Sequence, residues 1–206
     1  MVEGLHRVVI TGLGAVTPIG NTVQDYWNGL TSGRNGVDGI TLFDASNHAC
    51  RFAAEVKAFD PAGLIEPKEA KRWDRYCQFG VVAAKQALAH AGLEITEANS
   101  ERIGVSIGSG VGGLLTMETQ AHVLEGKGPG RVSPFTVPMM IPNMASGLAA
   151  IALGTKGPSS AVATACAAGS NAIGDAFRLL QLGKADAMVC GGAESAITPL
   201  LSLIHI

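Results

Sequence analysis

Apolar and polar positions follow two periods along the chain, and the period changes at nearly every glycine or proline cluster. HRVVITGLG (6–14) is a β-branched apolar run closed by glycine and predicts a buried strand. A helix is expected over 22–30 with Asn21 as its N-cap. Residues 31–50 are rich in Gly, Asn and Asp and read as a loop, and RFAAEV (51–56) predicts a short strand. From Trp73 to Ala91 apolar residues recur at helical spacing until Gly92 stops them.

RIGVSIG (102–108) predicts a second buried strand, followed after GSGVGG by a helix around 114–124 and by a loop at EGKGPGRVSP. Residues 142–153 predict a small-residue helix ended by Gly154. SAVATA (160–165) reads as a strand that delivers Cys166 to a helix over 167–182, stopped by Gly183. ADAMVCGG (185–192) is the last clear strand. Strands alternating with helices imply an α/β fold, a mainly parallel sheet with helices on both faces.

Composition narrows this picture. The 206 residues are 47% hydrophobic and only 16% charged, so the chain has the material for a sizeable core. A net charge of −2 gives no general attraction to nucleic acid or anionic membrane. No apolar run reaches the ~18 residues of a membrane span. The four cysteines, at 50, 77, 166 and 190, form no CxxC pair, and they are expected to be reduced thiols in a cytosol-like compartment.

GSGVGG (108–113) matches G-x-G-x-x-G between a strand and a helix, the dinucleotide fingerprint. That reading needs an acid about 20 residues further on, yet no Asp or Glu occurs from Gly126 to Ser160. A tight turn that packs closely against a neighbour is the alternative.

Cys50, Cys77 and Cys190 read as small buried hydrophobes. Cys166 differs in its setting, between a strand and a helix start, where free N–H groups and the helix dipole favour a thiolate. Its neighbours Ala165, Ala167, Ala168 and Gly169 are small, so an acyl group has room to approach the sulfur. Its own amide is a candidate oxyanion donor. A nucleophile and an inert thiol both remain compatible with these features.

SSAVATACAAGSNAIGDAFRLLQLGKADAMVCGGAES resembles the active-site segment of β-ketoacyl-acyl-carrier-protein synthases, the elongating condensing enzymes, and most of all the type II form. RVVITGLGAVTPIGNTVQDYWNGLTSGRNGV resembles that family's first strand and helix, and SIGSGVGGL and RVSPFTVPMMIPNMASG its pocket and dimer-contact segments.

The resemblance implies a thiolase-like fold of two α/β halves, of which residues 1–200 are expected to be the first. It implies a decarboxylative condensation in which Cys166 takes an acyl group from acyl carrier protein and a malonyl carrier protein extends it. It implies a homodimer and no metal, cofactor, nucleic acid or membrane, with a cytoplasmic or plastid-stromal location. Val111 falls where members shape the depth of the acyl tunnel. Thr136 falls where a member often has Phe, a departure that bears on chain length. Lys68, Lys71 and Arg72, spaced along one face of a helix-like segment, fall where members dock the acidic carrier protein.

Two catalytic histidines are expected from the second half, so His6, His48, His90 and His122 carry no role, and this chain by itself is expected not to condense. Polyketide-type synthases and catalytically silent chain-length-factor partners share the fold, but the partners lack the cysteine. The final LSLIHI (201–206) matches one reading frame of a sequencing adapter and is expected to be foreign read-through.

Overall fold

A computed structural model describes residues 4–202. Its centre is a three-stranded parallel sheet, order β4-β3-β5, built from β3 (Ile103–Gly108), β4 (Ser159–Ser160) and β5 (Ala187–Gly192). β3 and β5 pair along their whole length, from Ile103–Ala187 to Gly108–Gly192. A separate two-stranded antiparallel ribbon joins β1 (Asp38–Gly39) to β2 (Phe52–Ala53). Residues 203–206 lie outside the described residues; Leu201 and Ser202, the start of the expected foreign segment, close the short helix α8 (Pro199–Ser202).

Every residue of β3 is buried, which explains why its sequence is continuously apolar or small rather than alternating. Val105 and Ile107 join the main core, packed with Tyr76, Cys77 and Val81 of α3 (Arg75–Ala91) and Ala145 and Leu148 of α6 (Met144–Leu153). Gly108, the last residue of the strand, backs onto α7 (Ala168–Gln181), where an added Cβ would lie 2.5 Å from the Ala168 carbonyl oxygen. α7 buries Ala168, Ala172 and Ala176, at spacing i, i+4, i+8, and contacts β3 and β5 through that stripe. Gly169 and Gly192 permit the close approach: a Cβ on Gly192 would lie 2.9 Å from the Gly169 Cα.

Helix boundaries follow their end signals. α3 begins after Asp74, whose side chain accepts the Tyr76 N–H, and ends at Gly92 in the left-handed region. α6 ends the same way at Gly154. Between them α4 (Leu114–Lys127) is tied to α3 by Asp74, which accepts the Thr116 N–H at 3.1 Å and its hydroxyl at 2.6 Å.

Four expectations are corrected. Residues 6–14 do not form a strand: Val9 and Ile10 are exposed, and the stretch runs across α3 through Leu13 N–H to His90 Nδ1 and Ala15 N–H to Gln86 Oε1. Among the described residues its backbone finds no adjoining strand edge, and a strand needs one. The N-cap of α1 (Val23–Thr31) is Thr22, not Asn21, with Thr22 Oγ1 accepting the Asp25 N–H; Asn21 instead donates to the Lys57 and Ala58 carbonyls. The strand expected over 160–165 contracts to Ser159–Ser160, because the chain then bends toward Cys166. Cys50 and Cys190 are half-buried rather than buried, and only Cys77 is fully enclosed.

Candidate active site

The carboxyl ends of the three parallel strands meet at one edge, the position where open α/β sheets usually bind ligands. From β3 comes the loop Ser109–Gly113, from β4 the turn carrying Cys166, and from β5 the segment beginning at Ala193. The Ala193 N–H donates to the Gly108 carbonyl at 3.0 Å, and the Ser109 N–H to the Val162 carbonyl at 3.1 Å, so all three segments are bonded across their ends.

Cys166 is exposed and sits in a 3₁₀ turn, Ala165–Ala167, immediately before α7. No side chain caps either the turn or α7. Two amides of the turn are already engaged, the Ala167 N–H with the Thr164 carbonyl and the Ala168 N–H with the Ala165 carbonyl, so what the uncapped end offers a negative charge is the positive end of the helix dipole. Ala165 has φ of 50°, a left-handed backbone that a non-glycine residue adopts at a cost of ~1–2 kcal/mol. The bend resembles the geometry of a nucleophile elbow, with the next side chain, Cys166, exposed.

The GSGVGG loop is not an empty phosphate cradle. The Glu194 carboxylate accepts the Gly110 N–H at 2.7 Å and the Val111 N–H at 3.2 Å, and the Ser109 hydroxyl donates to it at 3.3 Å. A carboxylate of the chain itself fills the anion position, which removes the dinucleotide reading. Glu194 was not singled out from the sequence. The available signal was the acid missing downstream of GSGVGG, together with the acid in GGAES after the next parallel strand.

Val111 is exposed on this loop, next to Gly110, whose added Cβ would lie 3.4 Å from the Ala165 Cα. The loop and the cysteine turn are therefore in direct contact. Thr136 opens α5 (Thr136–Met140), its hydroxyl donating to the Ser133 carbonyl at 2.6 Å, and α5 reaches the loop through the Gly113 N–H to Met140 carbonyl bond. Lys68, Lys71 and Arg72 are all exposed, but the helix expected to align them is the single turn α2 (Pro67–Ala70), with Lys71 at its C-cap and Arg72 beyond it. Arg72 stacks on Phe135, the residue before Thr136, while Lys68 and Lys71 make no ion pair among the described residues.

Of the other thiols, burial pushes Cys77 up to about 12 and raises Cys190. Both are poor nucleophiles at neutral pH. An apolar cleft of ≈ 300 Å³ lined by Val37, Ile40, Cys50, Phe52 and Ile197 lies in a different place and includes neither Cys166 nor Val111.

The model of the β-ketoacyl synthase N-terminal domain matches residues 5–203. The chain belongs to that family. It is 63% identical over 194 residues to 3-oxoacyl-[acyl-carrier-protein] synthase 2 of Synechocystis, covering 94% of this chain and 47% of that protein. The synthase 2 of Staphylococcus aureus strain COL is 51% identical over 192 residues, 93% of this chain and 46% of that one. Among solved structures, the ishigamide ketosynthase/chain length factor superposes with a TM-score of 0.88 at 29% identity, over 97% of this chain and 50% of that one. A type II polyketide acyl-carrier protein in complex with its hexaketide-bound ketosynthase gives 0.81 at 27%, over 96% and 53%. The chain thus spans about half the length of the relatives it matches, and the expected thiolase-like α/β fold of the first half is the one it has.

Proposed function

We propose that this chain is the nucleophile-bearing half of a fatty-acid-elongating β-ketoacyl-acyl-carrier-protein synthase. The observation that carries the reading is Cys166, exposed on a bent, uncapped turn at the carboxyl edge of a parallel sheet, in a chain 63% identical to a synthase 2. The Cys166 thiolate attacks the carbonyl carbon of an acyl thioester; the carrier's C–S bond breaks, and the carrier thiol leaves with a proton. A malonyl carrier protein then loses CO2, and its carbanion attacks the acyl-enzyme carbonyl. The new C–C bond forms as the Cys166 thiolate departs, giving a 3-ketoacyl carrier protein two carbons longer. The Cys166 amide and the positive end of the α7 dipole help stabilise the oxyanion in both additions. The remaining half supplies the two histidines.

Val111 and Thr136 shape the acyl space, and Lys68, Lys71 and Arg72 receive the acidic carrier protein. The complete enzyme is a cytoplasmic or plastid-stromal homodimer without metal or cofactor. No helix among the described residues is long and apolar enough to cross a membrane. A silent chain-length-factor role is disfavoured by the exposed cysteine, and a polyketide role by the higher identity to the synthase 2 proteins. The test is 3-ketoacyl formation by the complete protein from acyl and malonyl carrier proteins. Turnover with two-carbon extension is expected; an inert protein that gains activity only beside a separate ketosynthase would instead mark a silent partner.

A further inference from the structure

We propose that Glu194 is a positioning residue, holding the Ser109–Gly113 loop against the Cys166 turn and thereby fixing where Val111 stands relative to the sulfur. Its carboxylate takes the Ser109 hydroxyl and the Gly110 and Val111 amides, at 3.3, 2.7 and 3.2 Å. The same Ser109 oxygen accepts the Gly112 N–H at 2.9 Å, so four successive residues depend on one carboxylate. These are charge-assisted bonds, stronger than neutral ones.

The loop packs closely on both neighbours: a Cβ on Gly110 would lie 3.0 Å from Glu194 Oε2 and 3.4 Å from the Ala165 Cα. Ala165 is the left-handed residue that aims Cys166. Glu194 itself is fixed because it directly follows Ala193, whose N–H is bonded to Gly108 at the end of β3. The hydrogen bonds of Glu194 go to the loop, to Ser109, Gly110 and Val111, and it acts through that loop. Loss of the carboxylate frees Val111 to swing, which changes the depth of the space before it reduces the reactivity of the thiol. The consequence for acyl length rests on the function proposed above.

The test uses the complete synthase and its Glu194→Ala, Glu194→Gln and Glu194→Asp variants, with two readouts that need no turnover. Amide exchange at Gly110 and Val111 is expected to accelerate about tenfold or more in Glu194→Ala, the worth of one hydrogen bond to a charged group. The ratio of Cys166 alkylation by a long-chain over a short-chain iodoacetamide is expected to shift about tenfold, with Glu194→Gln closer to wild type. Condensation should show the same change as a shift in preferred acyl length. Unchanged exchange overturns the clamp, and faster exchange with an unmoved alkylation ratio overturns the positioning role. A shifted ratio in Glu194→Ala, beside a wild-type enzyme that does not condense, sustains this inference and sinks the proposed function instead.

Discussion

Arg72 lays its guanidinium over the ring of Phe135, 4.6 Å from the centroid. The contact joins the exposed basic segment after α2 to the start of α5, and α5 in turn bonds the loop that carries Val111. On the proposed function, a carrier protein docked on Lys68 and Lys71 would lie on the segment that this contact ties to the Val111 loop. Exposed lysines with no ion pair among the described residues are suited to steering rather than to holding the fold. In the complete synthase, Lys68→Glu/Lys71→Glu is expected to raise KM for carrier-bound substrate ~10-fold at low salt with kcat little changed. Arg72→Glu should also lower thermal stability, because it loses the stack. An unchanged KM at low salt in the double variant contradicts docking here.

Gly108 marks where the sheet and α7 touch. A Cβ there would meet the Ala168 carbonyl at 2.5 Å and the Val162 carbonyl at 2.9 Å, both backbone atoms that cannot swing aside. Gly108→Ala therefore displaces the first turn of α7, and with it Cys166. A displacement of about 1 Å is expected to lower turnover on the order of 100-fold. Gly126→Ala, where an added Cβ meets nothing within 4 Å, serves as the control and should behave as wild type. Equal activity in both variants contradicts the packing argument.

Burial of Cys77 predicts alkaline sensitivity. Its thiol is pushed up to about 12 because the charged form is desolvated, while an unfolded thiol ionises near about 8.5. Between those values the unfolded chain has released a proton that the folded chain still holds. The stability due to the neutral thiol is therefore intact below about pH 8.5 and is lost as pH rises toward 12, by up to ~1.4 kcal/mol per pH unit. Tyr76, raised by the same desolvation, adds to the loss at higher pH. The melting temperature of the complete enzyme should fall between about pH 8.5 and 10.5, and Cys77→Ala should make that fall shallower. An identical slope in the variant rules this cause out.

The core was legible where burial acts locally. Ile103–Gly108 reads as a strand because both its faces are covered, and α3 shows its ends through Asp74 and Gly92. The 6–14 run has the same β-branched signature but no strand, since pattern reports a tendency to be buried and pairing needs a neighbour. The placement of Cys166 just before a helix was legible from its small neighbours and the helix after it, whereas those features left its role open. Glu194 was not, because its bond to Gly110 spans 84 positions and exists only once β3 and β5 lie parallel and in register. Likewise, the basic residues share a region, but not the helix face expected from their spacing, because α2 stops at Ala70.

In the proposed function, Cys166 carries the growing chain. Incubating the complete synthase with an acyl carrier protein thioester, without malonyl substrate, and mapping the adduct by mass spectrometry tests it directly. The expected result is an acyl mass on the peptide containing Cys166, discharged on adding malonyl carrier protein and absent in Cys166→Ala. An acyl adduct on Cys50, Cys77 or Cys190 instead, or full condensation by Cys166→Ala, would contradict it.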